Sequence, residues 1–321
     1  MDRLAFFKQG LSSVMDAATS LVGLKKAVDS FTDVVDEALS EVSAGMGLSL
    51  PAFDASIYDG AEFALSQFAT MGYTNVECGR YLSGSVHDIK CDEFYALATK
   101  KGLKIIGGHL NKVYEPVVKS ESEVVSPEGA ANASEVQSPA SQHDEWWQKA
   151  LDDHRAMHCQ YVVMSEGPVE FADEEITQWA EYFNHVGEMA LQRELKFCFH
   201  PKAELLKPRK EYDNRSVFDV LAERCDAEKV WFVIDTYECE CAGVDTCAVM
   251  TAFGGRIYLL HMHDYGIACE SEKIDFEAVA NVARKEGIDN MVVEMHTFSL
   301  PPMNCAERSL FNLEALPSIR Y

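Results

Sequence analysis

Four short apolar runs in the second half of the chain each end on a side chain able to bind a metal. They are residues 195–200 (LKFCFH), 230–235 (VWFVID), 257–261 (IYLLH) and 291–294 (MVVE). Unbroken β-branched and aromatic runs of this length predict strands buried on both faces, as parallel strands are. A polar residue closing such a strand stands at the carboxyl edge of the sheet, where α/β folds place their chemistry. The closing residues His200, Asp235, His261 and Glu294 are 35, 26 and 33 positions apart (200 to 235, 235 to 261, 261 to 294). Each interval holds about one strand–helix unit. The four side chains can therefore meet at one point, which is the pattern of a metal site in a barrel.

The same alternation runs through most of the chain. Strands are expected at 48–55, 72–79 (GYTNVECG), 103–110 (LKIIGGHL) and 160–166 (QYVVMSE), ahead of the four already named. Helices are expected between them near 60–71, 91–101, 145–158, 173–194, 214–224, 244–252 and 275–286, with Gly102 closing the second. Eight strand–helix units make a (β/α)8 TIM barrel, and 321 residues hold one such domain. The barrel is expected over 47–321. Residues 1–46 read as an amphipathic helical extension, with Leu21, Leu24, Val28, Phe31 and Val35 at helical spacing. Residues 116–145, rich in Ser, Glu, Ala and Pro without a period, read as a flexible insertion.

Composition excludes some functions. With 52 acidic against 28 basic residues the net charge is −24, which disfavours any grip on a nucleic-acid backbone. No apolar stretch reaches the ~18 residues that cross a membrane as a helix. The opening residues read as helix rather than as an export leader, since Asp16 interrupts their apolar part. Ten cysteines lack a repeated CxxC pattern, as free thiols of a reducing compartment do, so a cytoplasmic protein is expected. The expected ligand is a small molecule.

Taken together, GYTNVECG, GLKIIGGHL, WWQKALDDHRAMHCQYVVMS, EYFNHVGEMALQRELKFCFH, VWFVIDTY, AGVDTCAVM, GGRIYLLHMHD and MVVEMHTF resemble the sugar phosphate isomerase/epimerase superfamily of xylose isomerase-like barrels. The pieces follow the family's order from about residue 47 to 315. The resemblance implies a divalent metal at the ends of strands five to eight, held by His200, Asp235, His261 and Glu294. Two imidazoles and two carboxylates suit Mn2+, Co2+, Zn2+ or Fe2+ better than Ca2+, and Mg2+ also belongs to the expected set.

The resemblance further implies proton abstraction next to a carbonyl of a sugar, keto-sugar or cyclitol, with isomerisation, epimerisation or elimination as outcomes. Glu294, Glu166 and Lys202 are the candidate catalytic residues. His109, Glu204, Glu238, His263 and Trp146 are the candidate substrate contacts, and His263 with Asp264 is expected to orient the ligands. The chain departs from the family in its fifth-strand stretch, where FHPKAEL replaces a YHNHxxEF-like sequence and Lys202 occupies the second histidine position. Glu238 stands where other relatives carry a histidine, and His263 where they carry a lysine. Two alternatives follow: a non-catalytic barrel acting as a binding protein, and an endonuclease IV-like phosphodiesterase, which the acidic composition opposes. A homo-oligomer is compatible with the N-terminal helix.

Overall fold

Eight parallel strands close into a barrel in a computed structural model that describes residues 45–110 and 139–319, with side chains from residue 143 in the second stretch. In chain order the strands are β1 (Gly47–Ser49), β2 (Asn75–Cys78), β3 (Lys104–His109), β4 (Tyr161–Met164), β5 (Lys196–Phe199), β6 (Val230–Asp235), β7 (Ile257–His263) and β8 (Asn290–Glu294). Each pairs with its neighbours in sequence, and β8 closes on β1 through Gly47 opposite Val292. This is the TIM barrel expected from the alternation. The expected N-terminal extension lies outside the described residues, as does most of the expected insertion.

The helices are α1 (Asp54–Met71), α2 (Cys91–Lys100), α3 (Pro139–Ala156), α4 (Asp173–Leu191), α5 (Ala203–Leu206), α6 (Val217–Arg224), α7 (Thr236–Ala242), α8 (Thr246–Phe253), α9 (Phe276–Glu286) and α10 (Pro302–Glu314). Their limits follow local chemistry. Three acids, Asp173, Glu174 and Glu175, open α4 at the positive end of its dipole. Its Ile176, Trp179, Phe183, Val186 and Ala190 recur at helical spacing and are buried. Ser216 caps α6, accepting from Asp219 N–H at 3.0 Å, while Asp219 Oδ2 accepts from Ser216 N–H at 2.6 Å.

Two expectations are corrected. The first strand stops at Ser49 rather than 55, because Pro51 starts a 3-10 turn (Pro51–Phe53) that runs straight into α1. Proline brings no N–H to a ladder and its fixed φ suits a first helical turn. Helix α3 begins at Pro139, so the last residues of the expected insertion are helical.

The barrel interior is a packed layer of Ile106, Tyr161, Val163, Cys198, Val233, Leu259 and Val292. Full burial of a Val or Leu side chain contributes about 1.5–3 kcal/mol. Side chains on a strand alternate, so residues two positions further on point the same way. Two positions beyond Cys198, Val233, Leu259 and Val292 stand His200, Asp235, His261 and Glu294. The core layer thus fixes where these four polar groups emerge.

Candidate metal centre

His200, Asp235, His261 and Glu294 are all at least 95% buried, at the carboxyl ends of β5 to β8. The register sets Asp235 opposite His261 and His263 opposite Glu294. Asp235 also caps α7: its Oδ1 accepts from the N–H groups of Tyr237 (2.8 Å) and Glu238 (3.0 Å). Its Oδ2 faces inward, 3.5 Å from His200 Nε2 and 4.0 Å from His261 Nδ1. Glu294 Oε2 lies 3.4 Å from the same His261 Nδ1.

Three of these inward atoms, His200 Nε2, His261 Nδ1 and Glu294 Oε2, are buried without a hydrogen-bond partner. Leaving such groups unpaired is costly. Donor atoms held about 2.1 Å from a common ion stand about 3–4 Å from one another. The His200–Asp235, Asp235–His261 and His261–Glu294 spacings meet that requirement. Glu294 joins the set through His261, and is grouped within 4.8 Å with Glu77 and His109 rather than with His200 and Asp235. A donor set of two imidazoles and two carboxylates fits a divalent transition metal.

The electrostatics agree. Burial, helped by the positive charges of Lys202 and His261, drives the His200 ring toward neutrality, with a pKa lowered to about 3, as a metal-binding imidazole requires. For His261 burial is outweighed by Glu77, Glu294 and Asp235, and its pKa is pushed up to about 9. Asp235 is held well below the usual carboxylate range: His263 and His200 overcome the effect of its burial. His261, His296 and His109 do the same for Glu294. So dense a group of buried anions calls for a compensating cation.

Behind the four stands a residue that the sequence analysis passed over. Glu77, on β2 inside the quoted GYTNVECG, is fully buried. Its Oε2 accepts from His261 Nε2 at 3.1 Å and from His109 Nε2 at 3.0 Å. With Nε2–H given to Glu77, the other nitrogen of His261, Nδ1, faces Asp235 and Glu294, where a bound cation would take the place of its proton. Glu77, His109, His261 and Glu294 also bring ligand atoms within 4.8 Å of one another, as do His200, Asp235 and His261. His263 Nδ1 lies 3.0 Å from Asp235 Oδ2 and so orients that carboxylate. Asp264 instead organises its own loop, accepting from Tyr265 N–H (2.8 Å) and Ser271 N–H (3.2 Å).

Above this floor opens a pocket of about 400 Å3, bordered by His109, Glu166, His200, Lys202, Glu294 and His296 together with Pro51, Arg80, Tyr81 and Ser165. Glu166 is half-buried, and its Oε2 has no hydrogen-bond partner. Burial raises its pKa, which keeps a proton on it to higher pH. His296, also unforeseen, holds Glu294 Oε1 at 3.1 Å and is nearly half exposed, joining the floor to solvent.

Three expected substrate contacts stand elsewhere. Glu204 on α5 points outward and pairs with Lys207 and Arg209. Glu238 lies behind Lys202, accepting from Ala203 N–H at 2.7 Å with its other oxygen 3.4 Å from Lys202 Nζ. Trp146 packs edge-on against Tyr81, ring centres 5.6 Å apart, so Tyr81 forms the aromatic wall in its place.

A closed parallel eight-strand barrel with its polar centre at the carboxyl ends of β5 to β8 defines a class, and the sequence agrees with it. Residues 65–313 match the Xylose isomerase-like TIM barrel family, and the chain belongs to that family. Similar solved structures include a sugar phosphate isomerase/epimerase from Parabacteroides distasonis, 20% identical with a TM-score of 0.73, the match covering 87% of this chain and 96% of that one. A D-psicose 3-epimerase with D-tagatose from Clostridium cellulolyticum is 13% identical, with a TM-score of 0.55 over 86% of this chain and 94% of that one. An AP endonuclease, family 2, from Brucella melitensis is 12% identical, with a TM-score of 0.57 over 81% of this chain and 96% of that one. At these identities the likeness is one of fold. No curated protein matches the sequence.

Proposed function

We propose that this chain is a divalent-metal-dependent isomerase or epimerase of a sugar, keto-sugar or cyclitol, working by moving a proton on the carbon beside a carbonyl. The observation that carries this reading is the clustering of His200, Asp235, His261 and Glu294, three of them with an unpaired buried atom, beneath a polar pocket of about 400 Å3. The names of the similar structures, sugar phosphate isomerase/epimerase and D-psicose 3-epimerase, support the same reaction class.

A divalent ion at these donors supplies Lewis acidity, polarising a carbonyl and acidifying its neighbouring C–H. The protein's own groups do the rest. Glu77 and His263 hold His261 and Asp235 in the orientation that presents Nδ1 and Oδ2. Glu166, its carboxyl raised by burial, carries a proton at Oε2 to or from the substrate. Glu294 Oε1 serves the second proton position, and its hydrogen bond to His296 Nε2 opens a path to solvent. Lys202 Nζ, 3.4 Å from Glu238, offers positive charge to a substrate oxygen.

The test is proton exchange. Purified protein with Mn2+ or Co2+ is incubated in D2O with a panel of ketoses, keto-glucosides and inososes, and NMR follows deuterium entering next to the carbonyl. Uptake that requires both protein and metal is the expected result. A panel with no exchange under any metal contradicts the proposal and favours a binding protein on the same barrel.

A further inference from the structure

We infer that the pocket carries an anion subsite built on Arg80 with Lys202, so that the substrate bears a phosphate or a carboxylate. The inference rests on the isomerase reading only for the rest of the substrate's identity. The chain has 28 basic residues against 52 acidic ones, yet an arginine and a lysine both border this one pocket. They come from different elements: Lys202 follows β5, and Arg80 follows β2.

Arg80 is held there against backbone preference. Its φ is +48°, in the left-handed region that residues other than Gly, Asn and Asp rarely enter. Ser83, His87 and Asp88 in the same loop share that region, at φ +46°, +50° and +62°. Such conformations persist only where the surroundings over-determine them, and they collect at ligand sites.

The surroundings do over-determine this one. Gly79 sits so close to Pro51 that a Cβ there would meet Pro51 Cγ at 2.6 Å. Gly79 N–H donates to His87 Nε2 at 3.0 Å, which leaves the proton on Nδ1 to donate to Asp54 Oδ1 at 2.5 Å. The other oxygen of Asp54 stands 3.6 Å from Arg80 Nε, and Asp88 Oδ2 stands 3.0 Å from Arg80 Nη2. His87 is itself buried, so a closed chain of contacts anchors the arginine from below.

Arg80 remains half exposed, and its Nη1 makes no ion pair among the described residues. Exposed ion pairs contribute little, so Asp54 and Asp88 aim the guanidinium more than they satisfy it. A guanidinium fork matches phosphate and carboxylate in two-point geometry, and a lysine adds a point charge. The arrangement suits a sugar whose carbonyl end lies over the His200–Glu294 floor and whose anionic end reaches Arg80.

The test is calorimetry on the full chain, with and without Mn2+, using inorganic phosphate, D-ribulose, D-ribulose 5-phosphate and 5-keto-D-gluconate. The anionic ketoses are expected to bind about 10- to 100-fold tighter than the neutral one, the scale of a charge-assisted hydrogen-bond pair. Arg80→Asn keeps a residue that tolerates the left-handed backbone, and should bring that preference close to unity and abolish phosphate binding. Arg80→Lys should retain part of it. If Arg80→Asn does not fold, Lys202→Met carries the same comparison. The phosphorylated and carboxylated probes separate the two anion sources. Equal binding of neutral and anionic probes, a preference untouched by Arg80→Asn, or no anion binding at all would overturn the inference. Deuterium exchange in the same samples keeps the two readings apart. An Arg80-dependent preference without exchange sinks only the isomerase reading, and exchange that favours neutral ketoses sinks only the anion subsite.

Discussion

At the residue scale the side chains of the centre differ in how much metal binding depends on each. Asp235→Ala and Glu294→Ala each remove one donor from a four-donor set, so elemental analysis should find bound metal lost while circular dichroism shows the barrel intact. Glu77 holds His261 and His109 by hydrogen bonds and does not border the pocket. Glu77→Leu takes the acceptor from His261 Nε2 and should weaken Mn2+ binding about 10- to 100-fold, the usual cost of losing an orienting partner. Titration calorimetry that finds unchanged affinity would assign Glu77 to the core alone.

Glu166 is the proposed proton carrier, and Glu166→Gln should lower exchange by about 100-fold or more. It also carries a pH signature. Burial raises its pKa in the folded state, so its contribution to folding is complete below the unfolded value and fades as pH rises through the folded one. Denaturant titrations from pH 4 upward should therefore show Glu166→Gln gaining stability relative to the parent as pH rises. A difference that stays flat with pH contradicts this.

The positions of the four candidate donors at the strand ends were legible in the sequence because each closes an apolar run, and strand alternation carries the core outward to them. Glu77 was not, because β2 is the short NVEC and offers no run for the acid to end. His296 lies past the last strand, where no period applies. Glu204 was misread for the complementary reason: one turn of helix, Ala203–Leu206, faces it away from a pocket that lies close in sequence.

At the element scale the barrel depends on close approaches that only small residues permit. A Cβ on Gly107 of β3 would stand 2.3 Å from Tyr161 Cε2, and Tyr161 fills the interior directly beneath the polar floor. Gly107→Ala should cost about 1–3 kcal/mol through overpacking. Trimming the ring in Gly107→Ala/Tyr161→Leu should recover part of that loss, since contacting pairs are not additive. Urea denaturation of the two single variants and the double variant measures the coupling, and strict additivity would contradict the proposed contact.

Strand–helix alternation was readable because both periods are strong, and β6 fell where its apolar run begins and ends. Element ends were less so. The first strand is cut short by Pro51, and α3 reaches back to Pro139, where composition had pointed to irregular chain. The loop carrying Arg80 was invisible because left-handed residues other than glycine leave no periodic trace.

At the scale of the whole molecule, charge and site point the same way. A net charge of −24 repels polyanions, while Arg80 and Lys202 are gathered at one pocket of a size for a small molecule. The protein should therefore not retard abasic duplex DNA in a gel at low salt, despite sharing its barrel with an AP endonuclease. Retardation that fades with added salt would reverse that expectation. Among the described residues no helix is long and apolar enough to cross a membrane. All ten cysteines are free, and most are buried.

Anomalous diffraction from crystals grown with Mn2+ tests the central claim most directly. One strong peak is expected about 2.0–2.3 Å from His200 Nε2, Asp235 Oδ2, His261 Nδ1 and Glu294 Oε2 together. A map with no peak there, or with the ion bound elsewhere on the barrel, would contradict the account.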